Sequence, residues 1–371
     1  MLNFEQARKY FERIGQLPLF EAFQQEQVKP SLATLREIFF HHAITFPFEN
    51  LDMHNVINEP NTKPTPIDLN SIFEKMVQNG RGGYCFETNE LLRRALQFLK
   101  FDVKIFNAGV HWLKPKKIPP CHEVLVVNLA GNEYLVEPGF GSPSPLEPLL
   151  FRENGKLYEK DQIFEQHDVK RFRFILDEDG EFQLQGQIKV DWRSESLWKP
   201  LYAFKTDNEC GTQELAECNQ KVSASEQSPF LERLFVTIPF KIAEETTGRK
   251  TLMQNVFKVS TPAGVKETLV ESQQHFFALL ATEFNIKLPV GSSLTAKNVK
   301  FAEHTSDLQG KLAQMLSTQN HIVAPISQPG FAPVPVVPAF CNTQQAAPLE
   351  AVPPLVTTKP NTLSSRLDGM M

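Results

Sequence analysis

The run Arg81-Gly82-Gly83-Tyr84-Cys85-Phe86-Glu87-Thr88-Asn89 leads through Glu90 into LLRRALQFLKF (91–101). In the second stretch Leu91, Leu92, Ala95, Leu96 and Leu99 share one helical face, so Cys85 stands at a glycine-rich turn into an amphipathic helix. A helix N-terminus beneath a sulfur favours its thiolate, the form that acts as a nucleophile. Gly82 and Gly83 permit close backbone approach and expose amides, and Arg81 adds positive charge nearby. Taken alone, the pattern is equally that of a small buried hydrophobe, and a partner is needed.

Working outward, residues 1–100 read as a helical bundle. Leu2, Phe4, Ala7, Phe11 and Ile14 form one stripe, and Ser31 caps a second helix carrying Leu35, Ile38 and Phe39. Asp68 caps a third, with Ile72, Phe73, Met76 and Val77, that stops at Asn79-Gly80. Residues 101–207 change character to short β-rich runs such as HEVLVVNL and EYLVEPGF, the pattern of an antiparallel sheet or small barrel. Residues 208–290 mix a polar helix near 212–225, strands near 233–241 and 251–260, and the helical pattern of VKETLVESQQHFFALLATEF. Residues 291–371 read as an extension dominated by a disordered, proline-rich tail. Residues 321–371 hold 9 of the 27 prolines and four charges, without apolar periodicity. At most a weak protein contact is expected there, through segments such as APVPVVPAF.

Composition narrows the function classes. The chain has 371 residues, 41% of them apolar, enough for a sizeable core of two or three subdomains. With 38 basic and 43 acidic residues, its net charge of -5 argues against a nucleic-acid binder or a polybasic membrane anchor. Cys85, Cys121, Cys210, Cys218 and Cys341 include no CxxC pair, which reads as reduced thiols in a cytoplasmic protein without a zinc-ribbon metal site. The N-terminus carries charges throughout, and no stretch approaches the roughly 18 apolar residues of a membrane span.

Among nine histidines, His122 opens a strong strand, CHEVLVV, while the adjacent Cys121 reads as an ordinary strand-edge thiol. His41, His42, His54, His111, His167, His275, His304 and His321 read as surface or satisfied core histidines. Asn128-Leu129-Ala130-Gly131 fits a type I turn, and a hairpin folded there puts Glu137 directly opposite His122. A competing turn at Gly131-Asn132, or a bulge, separates the two. A facing carboxylate would favour a thiolate–imidazolium pair and a Cys85 pKa well below the free value of about 8.5.

These segments together resemble the arylamine N-acetyltransferases. The resemblance rests on RGGYCFETN (81–89), CHEVLVV (121–127) and YLVEPGFG (134–141). It extends to FPFENLDMH (46–54), LWKPLYAF (197–204), Ser228-Pro229-Phe230, GRKTL (248–252) and FNIKLP (284–289). It implies a multidomain α/β (α+β) fold: helical bundle, antiparallel β-barrel and α/β lid, around a cysteine-protease-like Cys-His-acid core. It also implies a triad of Cys85, His122 and Glu137, with Glu137-Pro138 standing where the family usually has Asp. By similarity, Phe48, Phe140, Ser142 and Ser144 would line the acceptor pocket, and Gly139, Gly141 and Lys250 would approach the cofactor.

The implied reaction is ping-pong N-acetylation of arylamines or arylhydrazines with acetyl-CoA as co-substrate and an acetyl-cysteine intermediate. The implied partners are thus two small molecules, with no nucleic acid, membrane or metal. Rival readings are an amide synthase or thiol hydrolase on the same triad, or a non-catalytic binding protein on the same fold.

Overall fold

The computed structural model describes residues 1–54, 64–111, 119–157, 162–165, 171–177, 179–189, 196–226, 228–243, 246–294, 296, 298–299 and 301. Most of the expected 291–371 extension, with Cys341, therefore lies outside the described residues.

Three helices open the chain: α1 (Phe4–Arg13), α2 (Leu17–Gln24) and α3 (Leu32–Thr45). Asn3 and Gln6 cap α1 reciprocally, and the Ser31 side chain accepts from the Thr34 amide to start α3. A two-residue strand, β1 (Phe48–Glu49), follows. Asp68 caps α4 (Leu69–Phe73), which runs on as a π-helical turn at Glu74–Gln78 before Gly80 ends it at φ 68°. Then comes α5 (Cys85–Phe98). Its face of Leu91, Leu92, Ala95 and Leu96 is buried with Phe11, Phe20, Leu35 and Phe39 in one core, and Cys85 belongs to that core.

The next nine strands are β2 (Asp102–Val110), β3 (His122–Leu129), β4 (Asn132–Val136), β5 (Leu149–Glu153), β6 (Lys156–Leu157), β7 (Phe164–Glu165), β8 (Arg171–Leu176), β9 (Phe182–Lys189) and β10 (Ser196–Phe204). They form one antiparallel sheet in the order β6-β5-β4-β3-β2-β10-β9-β8-β7, curled into a nearly closed barrel. Phe106, Phe151, Phe172, Phe182, Tyr202 and Phe204 fill its interior. The β3–β4 hairpin departs from the expected register. Its loop is Ala130-Gly131, both at positive φ (54° and 84°), between the pairs Leu129↔Asn132 and Leu125↔Val136. A two-residue loop of this kind matches the right-handed strand twist, which a type I turn at 128–131 does not. Glu137 consequently follows the last ladder pair and is not directly opposite His122.

Beyond the barrel lie α6 (Thr212–Ala224), α7 (Pro229–Glu232), strands β11 (Phe235–Ala243), β12 (Thr246–Met253), β13 (Val256–Thr261) and β14 (Gly264–Leu269), and α8 (Gln273–Glu283). Their five-stranded sheet, β1-β11-β12-β13-β14, takes its first strand from the N-terminal region, with Phe48 paired to Thr237. Phe276, Leu280 and Phe284 of the α8 segment pack with Val236, Leu252 and Phe257 of this sheet. Among the described residues, no helix is long and apolar enough to cross a membrane.

Candidate active site

Cys85 is the first residue of α5 because the chain turns sharply before it. A Cβ on Gly82 would lie 2.0 Å from the Pro47 carbonyl oxygen, so only glycine fits. The Gly83 amide donates to Pro47 O (3.1 Å) and Gly83 O accepts from the Glu49 amide (3.0 Å), locking the turn to β1. At the helix start the Glu87 carboxylate accepts from the Tyr84 amide at 3.1 Å.

Arg81 does not lend its charge to the thiol. It is buried, donating to Glu49 (3.0 and 2.7 Å) and Asp52 (2.8 Å), while Lys75 reaches Asp52 and Glu87 at 2.7 Å each. Burial opposes the charge of Lys75 and Arg81, yet the surrounding carboxylates hold both above their ordinary pKa. Glu87 is pushed up to about 7, by burial foremost, with Lys75 acting the other way.

Three polypeptide segments meet at Asn89, one helical turn below Cys85. Its side-chain amide donates to Glu123 O (2.6 Å) and to Glu137 Oε1 (3.3 Å), and its Oδ1 accepts from the Gly139 amide (3.1 Å). Asn89 thus ties α5 to the start of β3 and to the turn after β4. Gly139 is the closest approach: a Cβ there would meet Thr88 Oγ1 at 2.7 Å, Asn89 Oδ1 at 2.8 Å and Cys85 Cα at 2.9 Å.

This knot brings His122 to Glu137, with Nε2 3.5 Å from Oε1. Both are buried, His122 4% and Glu137 0% exposed. The Tyr202 hydroxyl donates to the other Glu137 oxygen at 3.4 Å. The rings of Phe140 and Tyr202 flank His122 at 5.0 and 5.2 Å. The two side chains are neighbours, with no hydrogen bond at His122 Nε2 among the described residues, and the glutamate lies beyond the ladder's end.

The Cys85 thiol departs from expectation. Burial, then the carboxylates of Glu123 and Glu137, push its pKa well above the ordinary value, opposed by hydrogen bonds from the Phe86 and Glu123 backbone. Glu123 is wholly buried, and burial pushes its carboxyl well up, followed by the influence of Glu90.

Around the site, Phe48, Gly141 and Ser144 line a small pocket with Phe46, Leu146, Thr237, Pro239 and Arg249. Ser144 Oγ accepts from the Phe140 amide (2.9 Å) and donates to Pro138 O (3.1 Å), bracing the turn that carries Gly139. Ser142 is half-buried on the same turn. Phe140 turns instead to His122. Lys250 pairs with Glu283 at 3.1 Å, and its neighbour Arg249, pointing to the other side of β12, donates to Gly141 O at 3.2 Å. Sequence reading missed Asn89, Tyr202 and Arg249; only Asn89 carried a signal, its spacing of one helical turn from Cys85. Among the described residues, no cluster of three or more His, Cys, Asp or Glu is arranged to hold a metal ion.

The N-acetyltransferase family model matches residues 31–293. Arylamine N-acetyltransferase 1 of Oryctolagus cuniculus is 26% identical over 308 residues, covering 78% of this chain and 96% of that protein. The solved arylamine N-acetyltransferase of M. smegmatis superimposes with a TM-score of 0.64 at 25% identity, covering 80% of this chain and 98% of its own. The Mycobacterium marinum enzyme, solved in complex with CoA, gives a TM-score of 0.61 at 26% identity, covering 76% and 92%.

Proposed function

We propose, from the premise that this chain belongs to the arylamine N-acetyltransferase family and is an acyltransferase, that it moves an acetyl group from acetyl-CoA to an aromatic amine or hydrazine through acetyl-Cys85. The observation that carries this reading is the buried His122–Glu137 pair tied by Asn89 to the helix that Cys85 heads.

The raised Cys85 pKa sets the order of events. The resting thiol keeps its proton, and His122 accepts it as Cys85 Sγ attacks the thioester carbonyl. Glu137 fixes the ring tautomer through Nε2 and stabilises the imidazolium as it forms. The carbon–sulfur bond to CoA breaks, and the proton leaves with the CoA thiol. In the second half the amine nitrogen attacks the acetyl-cysteine, His122 takes the amine proton, and the Cys85 sulfur departs. Backbone amides at the head of α5 are the oxyanion donors closest to hand.

Cysteines without a CxxC pair fit a cytoplasmic enzyme.

The test is intact and peptide mass spectrometry after mixing with acetyl-CoA and no amine. One acetyl group on Cys85, discharged by an arylamine with release of the acetamide, is expected. Label on another cysteine, or none, would overturn the assignment.

A further inference from the structure

The mechanism leaves a second thiol cluster unused. Cys121 Sγ and Cys218 Sγ are 3.2 Å apart, joining the residue before β3 to the middle of α6. Both are free thiols, Cys121 half-buried and Cys218 buried. Each is sequence-adjacent to a residue of the site's frame. Cys121 precedes His122, and Cys218 precedes Asn219, whose side-chain oxygen accepts from the hydroxyl of Tyr84, the neighbour of Cys85. Cys218 Sγ also donates to Pro120 O at 3.4 Å, and the Cys121 amide is held by Ala108 O at 3.1 Å, so both sulfurs sit on anchored backbone.

We propose that Cys121 and Cys218 are a reversible thiol–disulfide site that small-molecule disulfides such as oxidised glutathione close, cross-linking α6 to the strand that begins with His122. The sulfurs need approach by only about 1 Å to reach the ~2.05 Å of a disulfide bond. Cys121 is the attacking thiol. It is the more exposed of the two, and the hydrogen bond with Cys218, assisted by Lys221, lowers its pKa to about 7 against the opposing effect of burial. Near that value a thiol combines a large thiolate fraction with good nucleophilicity.

The chemistry balances in two exchanges. The Cys121 thiolate attacks one sulfur of the oxidant, the oxidant's S–S bond breaks, and one glutathione leaves as thiolate. Cys218, whose pKa the hydrogen bond with Cys121 and then burial push well up, attacks the Cys121 sulfur of the mixed disulfide and passes its proton to the departing glutathione thiolate, which leaves as the second glutathione. Two cysteines are oxidised and one disulfide is reduced to two thiols. Cys210, whose sulfur accepts from Asn107 at 3.1 Å, is the nearby competitor.

The experiment treats the full-length protein with oxidised glutathione and maps disulfides by non-reducing peptide mass spectrometry. Melting is followed before and after, and again after dithiothreitol. The expected result is a Cys121–Cys218 linked peptide without bound glutathione. Closing a 97-residue span should raise the melting temperature by on the order of 5–10 °C, reversibly. Cys218→Ser should instead retain one glutathione on Cys121. A stable glutathione adduct on Cys121 of the unmodified protein would overturn the proposal, as would a bridge to Cys210 or an unchanged melting temperature in the linked form.

Discussion

Replacing Glu137 by Gln removes one charge from the site at nearly constant shape. The carboxylate stands 3.5 Å from His122 Nε2 and is 0% exposed, so solvent screens the pair little. At an effective dielectric of about 20, an imidazolium and a carboxylate at that distance attract by about 5 kcal/mol. An amide dipole recovers part of this, and each 1.36 kcal/mol is tenfold in rate, which leaves a loss of roughly 10²–10³-fold. The tautomer argument points the same way. A glutamine that donates its amide proton to Nε2 forces the ring proton onto Nδ1, the nitrogen then unable to take the Cys85 proton; in a Ser-His-Asp triad the corresponding change costs about 10⁴. The assay is the rate of acetyl-Cys85 formation by quenched mixing with acetyl-CoA and mass spectrometry, beside a melting curve showing that the variant is folded. Glu137→Asp shortens the reach to His122 and is expected to act slowly but measurably. A folded Glu137→Gln protein acetylated at the unmodified rate would refute the role of Glu137.

Cys85→Ala should abolish transfer while leaving the fold intact, and turnover by that variant would place the nucleophile elsewhere. Gly139→Ala puts a methyl group within 2.7–2.9 Å of Thr88, Asn89 and Cys85, so a loss of about 1–3 kcal/mol in urea-unfolding stability is expected, together with slower acetylation. A neutral outcome there would mean that the turn after β4 is not wedged against α5. The Glu87 carboxyl titrates at about 7 in the folded protein against an ordinary 4.5. The folded state thus holds this proton more tightly, and its contribution is complete below pH 4.5 and lost as pH rises through 7. Glu87→Gln should therefore recover about 3 kcal/mol at pH 8 relative to pH 4.5 when its unfolding curves are set beside the unmodified protein's; parallel pH profiles would refute this.

The proposed nucleophile and base, Cys85 and His122, are legible as candidates because each sits at an element boundary with a strong local signature. Two glycines and an amphipathic run mark Cys85, and a buried β-run marks His122. The acid was reached through a hairpin register that the structure does not have. That register needs a ladder continuing to residue 137, whereas pairing stops at Leu125↔Val136 and Glu137 Oε1 lies 3.5 Å from His122 Nε2 from beyond the ladder's end. Arg81 was read as a charge for the thiol because its partners Glu49 and Asp52 lie about 30 residues earlier, and no periodicity links them. Helix-head amides that favour a Cys85 thiolate are visible in sequence, whereas the burial that opposes it is a tertiary property. The π-helical turn after α4 was equally hidden, since Met76 and Val77 fit an α-helical stripe as well as the wider turn.

The pairing of Phe48 with Thr237 bears on how the protein is made. A two-residue strand near the N-terminus waits for its neighbour until about 190 further residues have been synthesised, on the order of 10–40 s at about 5–20 residues per second. During that interval the backbone edge of residues 48–49 is uncovered on the side β11 will occupy, beside the glycine turn that leads to Cys85. A nascent chain halted before Phe235 would carry its nucleophile on a formed helix but lack one wall of the pocket.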